Sequence, residues 1–63
     1  MNAQTIKTRE QLAAAIKNGE SFTVYGRPVR IWNGNLAIEI NMGRGKAYTF
    51  FTNEDLAKLN PEP

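Results

Sequence analysis

From Ser21 to Phe51 the chain keeps apolar and polar residues in alternation, broken only by three short clusters of turn-forming residues, and this pattern leaves few folds open. Successive side chains of a strand point to opposite faces, so a period of two marks strands that have one covered face. Phe22 and Val24 alternate with Thr23 and Tyr25. Beyond Gly26-Arg27-Pro28, Val29 and Ile31 alternate with Arg30 and Trp32. Beyond Asn33-Gly34, Leu36, Ile38 and Ile40 alternate with Ala37, Glu39 and Asn41. Gly43-Arg44-Gly45 then leads into Lys46-Ala47-Tyr48-Thr49-Phe50-Phe51. The expectation is four antiparallel strands joined as a meander.

Turn chemistry sets the pairing. Asn33-Gly34 tolerates the positive φ angles of a two-residue type I′ turn, which pairs Trp32 with Asn35, Ile31 with Leu36, Arg30 with Ala37 and Val29 with Ile38. Every apolar residue then meets an apolar one, an independent check on the register. Because Pro28 lacks an N–H, the first turn is expected to be wider than two residues, running from Tyr25 to Pro28 and pairing Val24 with Val29 and Phe22 with Ile31. The third turn leaves a choice of parity. Three residues put Tyr48 and Phe50 on the core face; two put Ala47, Thr49 and Phe51 there. The larger side chains favour the first arrangement.

Helical signals lie on either side. Thr8-Arg9-Glu10-Gln11 has the form of a capping box, so a helix starts at Arg9, with Leu12 and Ile16 on one face and Ala13 and Ala15 beside them. Asn18-Gly19 ends it. At the other end, Thr52 and Asp55 suit a short helix from Asn53 to about Leu59, with Phe51 stapled to Leu56 and Pro61 as the stop. Residues 60–63 read as a loose tail. The fold class is therefore α+β in two layers: an N-terminal helix packed on a four-stranded antiparallel meander, followed by a short C-terminal helix.

With 63 residues the chain makes one domain, 1–63. A chain this short hides only roughly 60% of its unfolded surface, and it contains no Cys or His to add a disulfide or the usual zinc site. The same absence removes imidazole and thiolate catalysis. Gly43-Arg44-Gly45 lacks the Gly-Lys-Ser/Thr ending of a phosphate loop and reads as a turn. Glu39 is the lone acid of the strands, Glu54 and Asp55 suit the positive end of the last helix, and no carboxylate pair for acid–base work emerges. The expectation is a non-enzyme that needs no cofactor and no metal. The first residues hold no signal-peptide core, and no apolar stretch approaches the ~20 residues that span a bilayer. A cytoplasmic, soluble protein without membrane contact is the expectation that follows.

The unusual feature is the sheet face turned away from the helix. Parity puts Tyr25, Arg30 and Trp32 there, and these are the residue types most enriched in binding hot spots. Basic residues also concentrate in the strands: residues 21–53 hold Arg27, Arg30, Arg44 and Lys46 against Glu39 alone. Two functions follow. The leading one is a small binding protein that masks a surface of a partner, first of all a protein, through Trp32, Arg30 and Tyr25. Stand-alone domains of this size are often modulators or inhibitors carried by phages or mobile elements against a host protein, and size alone suggests that origin. The alternative is a weak nucleic-acid-binding module on a basic, Trp-containing sheet face, with Arg27, Arg44 and Lys46 as phosphate contacts; three cations support only weak, salt-sensitive binding. Self-association as a homodimer would cover the exposed face in either case.

Overall fold

The structure, a computed structural model, describes residues 6–61. Helix α1 (Arg9–Lys17) begins at the expected capping box: the Thr8 hydroxyl accepts from the Gln11 N–H, and the Gln11 amide oxygen accepts from the N–H groups of Thr8 and Lys7. Asn18 caps its end, and Gly19, at φ 95°, takes the left-handed conformation that turns the chain out. Leu12 and Ala15 are buried on the face toward the sheet. Ile6, just ahead of the cap, joins them in the core. Neither the helical nor the strand periodicity includes Ile6, which stands two residues ahead of the Thr8 cap.

Strands β1 (Phe22–Val24), β2 (Arg27–Trp32), β3 (Asn35–Asn41) and β4 (Lys46–Phe50) follow. A regular helix does not follow, nor do residues 60 and 61 belong to a loose tail; the remainder of the expected tail, 62–63, lies outside the described residues. Asn53–Lys58 form a 3₁₀ helix, and Leu59–Pro61 form β5, which lies antiparallel to β1 with Val24 opposite Leu59, Thr23 opposite Asn60 and Phe22 opposite Pro61. The sheet therefore has five strands, ordered β4-β3-β2-β1-β5, instead of four. Pro61 suits this place, since β5 is an edge strand and a proline there costs no ladder hydrogen bond on its open side.

Strand β2 is shared between two halves of the sheet. Arg27 and Pro28 pair with β1, whereas Val29 to Trp32 pair with β3. The β2–β3 register is the one Asn33-Gly34 dictates, with both turn residues at positive φ. The β1–β2 turn is narrower than expected: Tyr25 and Gly26, also at positive φ, make a two-residue turn that pairs Val24 with Arg27 and Thr23 with Pro28. Proline is accommodated because the pair next to a closing hydrogen-bonded pair makes no ladder bond across to β1. On its other side Pro28 occupies the next hydrogen-bonding position toward β3, where its missing N–H ends the ladder. The handover between the halves of the sheet thus falls at this residue.

The third turn also departs from the expectation. Four residues, Met42 to Gly45, separate the paired Asn41 and Lys46. The Asn41 side chain accepts the Gly43 N–H and the Met42 N–H donates to the Gly45 carbonyl, which closes the loop. Tyr48 stands opposite Glu39 and Phe50 opposite Ala37, on the face away from the helix, while Ala47 and Thr49 face Ile40 and Ile38. Phe51, not Phe50, is the fully buried ring. The core is Ile6, Leu12, Ala15, Phe22, Val24, Val29, Leu36, Ile38 and Phe51, with Leu56 and Leu59 packed at its margin.

Candidate functional site

Parity along β2, β3 and β4 brings Arg30, Trp32, Ala37, Glu39, Tyr48 and Phe50 to one outer face. The indole of Trp32 and the ring of Tyr48 stack across β3, with centroids 5.2 Å apart and planes 12° from parallel. Ala37 lies on the same face and is nearly inaccessible, so the larger side chains around it roof it over. Only a small side chain at that position lets rings from β2 and β4 meet above the middle strand. Trp32 stays 50% exposed and Phe50 63% exposed, more than a side chain serving packing alone would be.

Charges on this face are layered. Glu39 keeps 11% of its side chain exposed, beneath Arg30 at 47% and Lys46 at 58%. Its carboxylate accepts a hydrogen bond from the Tyr48 hydroxyl at 3.2 Å and lies 3.6 Å from Lys46 Nζ and 3.8 Å from Arg30 Nε. Pairs as exposed as these add about 0–1 kcal/mol each. Their clearer effect is positional: the acid sits low and holds two cations and a phenol around it, so an approaching molecule meets the cations first. Arg30 reaches for Glu39. A third cation comes from α1, where the Arg9 guanidinium lies 5.4 Å from the Phe50 ring centroid and Nη1 donates to the Phe51 carbonyl at 3.4 Å.

Tyr25 is not part of this cluster. It sits in the β1–β2 turn, at the opposite end of β2 from Trp32, and its hydroxyl donates to Asp55 Oδ1 at 3.0 Å. The other oxygen of that carboxylate accepts the Thr52 N–H at 2.9 Å and the Thr52 hydroxyl at 3.1 Å. The backbone hydrogen bond from Thr52, with help from the two hydroxyls, holds the buried Asp55 carboxyl below its ordinary range despite desolvation. The same contact raises the Tyr25 phenol, because deprotonation would abolish its bond to Asp55. Tyr25 thereby ties the first turn to the 3₁₀ helix.

Arg27 opens β2 and Arg44 lies in the β3–β4 loop, at the end of the sheet from which Lys46 starts β4. Both are exposed, and among the described residues neither forms an ion pair. Of the residues singled out from sequence, the structure joins Trp32, Arg30 and Lys46, keeps Tyr25 apart, and adds Tyr48, Phe50 and Arg9. Tyr48 and Phe50 were readable only through the parity of β4, and Arg9 only through where α1 crosses the sheet. No three Asp or Glu side chains converge among the described residues, and no helix there is long and apolar enough to cross a membrane. The chain matches no protein-family model, no curated protein and no solved structure.

Proposed function

We propose that this protein is a non-enzymatic binding module that acts by covering part of a partner macromolecule with the outer face of β2, β3 and β4. One observation carries the reading: three aromatic side chains, Trp32, Tyr48 and Phe50, share a single sheet face and two of them are at least half exposed. An apolar surface left open beside cations is the usual composition of an interface centre. Masking needs no reactive group, only a surface that fits the partner, and this face offers rings, cations and a partly covered acid. A modulator or inhibitor of a larger assembly would work in this way.

The test is affinity capture from the source cell's extract with immobilised wild-type protein and with Phe50→Ala, both checked for equal melting temperatures. A macromolecule retained by the wild type and lost by the variant supports the reading. Equal retention by both proteins would remove this face from the interface.

A further inference from the structure

We infer that the partner of this face is a single-stranded nucleic acid; the inference rests on the reading of the outer face as the binding surface and names its occupant. Bases of a single strand offer unpaired π-faces, and sheet platforms hold them by stacking on aromatic side chains while nearby cations take the phosphates. The face supplies both parts. Tyr48 and Phe50 point the same way from alternate positions of β4, roughly 6.6 Å apart along the strand, so the open Phe50 ring and the stacked Trp32–Tyr48 pair stand side by side as platforms for bases. Trp32 extends the row over Ala37, with half its surface still open.

The cations border this row. Lys46 and Arg44 lie at one end of β4, Arg9 stands at Phe50 at the other, and Arg30 flanks Trp32 on β2. Their engagement with Glu39 leaves donors free. Arg30 approaches the carboxylate through Nε, so its two terminal nitrogens remain, and Lys46 has three N–H donors for one partner. Because Glu39 lies beneath them, the charge presented outward is positive. A duplex would offer phosphates but keep its bases stacked inside, leaving the rings unused. An acidic protein segment would also engage the cations, but it gives no reason for three rings in a row.

Trp32 is the chain's only tryptophan, so its fluorescence reports on this face directly. The experiment titrates the intact protein with an oligothymidylate and an oligouridylate of about twelve nucleotides, within the span such platforms cover. A blunt DNA duplex of similar length and poly-L-glutamate serve as competing probes. Single strands should quench Trp32, and four phosphate contacts should weaken binding roughly fiftyfold between about 50 and 200 mM salt. Phe50→Ala, whose melt should match the wild type, should lose about five- to a hundredfold in affinity. Three results overturn the inference: no quenching by either single strand at about 50 mM salt, equal affinity for duplex or polyglutamate, or unchanged affinity in Phe50→Ala. If single strands fail while the capture experiment still yields a protein that Phe50→Ala loses, the masking reading stands and its occupant is a protein. If both fail, the face is not a binding surface.

Discussion

Two clusters, each with an exposed aromatic residue, stand at opposite ends of β2, and by exposure alone those residues look alike. Tyr25 is 59% exposed and Trp32 is 50% exposed. Their partners separate them. Tyr25 spends its hydroxyl on Asp55, which in turn holds the Thr52 N–H and hydroxyl, so the turn, the 3₁₀ helix and hence the entry to β5 are tied by one carboxylate. Trp32 leans on Tyr48, which leans through its hydroxyl on Glu39, and the chain of contacts ends in two half-exposed cations and open rings. The first cluster closes the fold upon itself, and the second stops at solvent. Exposure is therefore a poor guide to interface character unless one asks where each side chain's polar group goes.

The largest test of this contrast uses adjacent residues of opposite parity. Phe51→Ala removes a fully buried ring and should cost about 3–5 kcal/mol, a large share of what so small a domain can hold. Phe50→Ala should stay within about 0.5 kcal/mol of the wild type, as exposed positions do. Denaturant midpoints decide, and equal shifts for the two would mean that the parity of β4 is the reverse. Trp32→Ala comes next. Losing the stack on Tyr48 should cost about 0.5–1.5 kcal/mol of stability, while partner affinity falls roughly thirtyfold or more. A collapsed melt would instead make Trp32 a lid over Ala37.

The Tyr25 end responds to acid. The Asp55 carboxyl is held below its ordinary value of 3.8 in the folded protein, so the unfolded chain binds the proton more readily. The stability this group adds is present at pH values above 3.8 and is lost as pH falls through its lower folded value. Melts taken between neutrality and about pH 2 should show the decline, and Asp55→Asn should flatten it while lowering stability at neutral pH by about 0.5–2 kcal/mol, the range for a lost helix-start partner. An unchanged acid profile in Asp55→Asn would place the titrating group elsewhere.

How far each element could be read from sequence follows from how tightly its turn constrains it. Asn33-Gly34 admits one short turn, so the β2–β3 pairing and the outward placement of Trp32 follow from two residues. Gly43-Arg44-Gly45 admits several loop lengths, and one residue more or less exchanges the faces of Tyr48 and Phe50 with those of Ala47, Thr49 and Phe51. Size is a misleading guide there, because this protein places two large rings outside and gives the core face of β4 Ala47 and Thr49. Pro28 suggests a wide turn only if its missing donor is assigned to β1, whereas it points to β3. Leu59-Asn60-Pro61 is too short and too proline-rich to signal a strand by alternation; only the open edge of β1 calls for it. The helix is plain from its capping box, but Arg9 counts as a solvent residue until the sheet beneath it is known.

The smallest effect concerns Glu39, and it bears most directly on what the outer face is for. If Glu39 serves stability, Glu39→Gln should lower the melting temperature and leave binding alone, since the ion pairs it breaks are worth about 0–1 kcal/mol each. If it instead competes with a nucleic-acid strand for Arg30 and Lys46, the substitution has a second consequence of opposite sign. Removing the negative charge leaves both cations wholly available to phosphate and takes away the repulsion that an incoming polyanion feels from the carboxylate. Glutamine keeps the acceptor for the Tyr48 hydroxyl, so the stack with Trp32 should survive. Affinity for a single strand should then rise a few-fold at low salt, and the slope of log affinity against log salt should steepen by up to about 0.7 for each additional phosphate neutralised. The rise should fade as salt approaches about 200 mM, where interactions between exposed charges are screened. A Glu39→Gln variant that binds single strands more weakly at every salt concentration would show that Arg30 and Lys46 need the carboxylate to be usefully placed, and would turn the acid from a restraint on affinity into a positioning residue of the site.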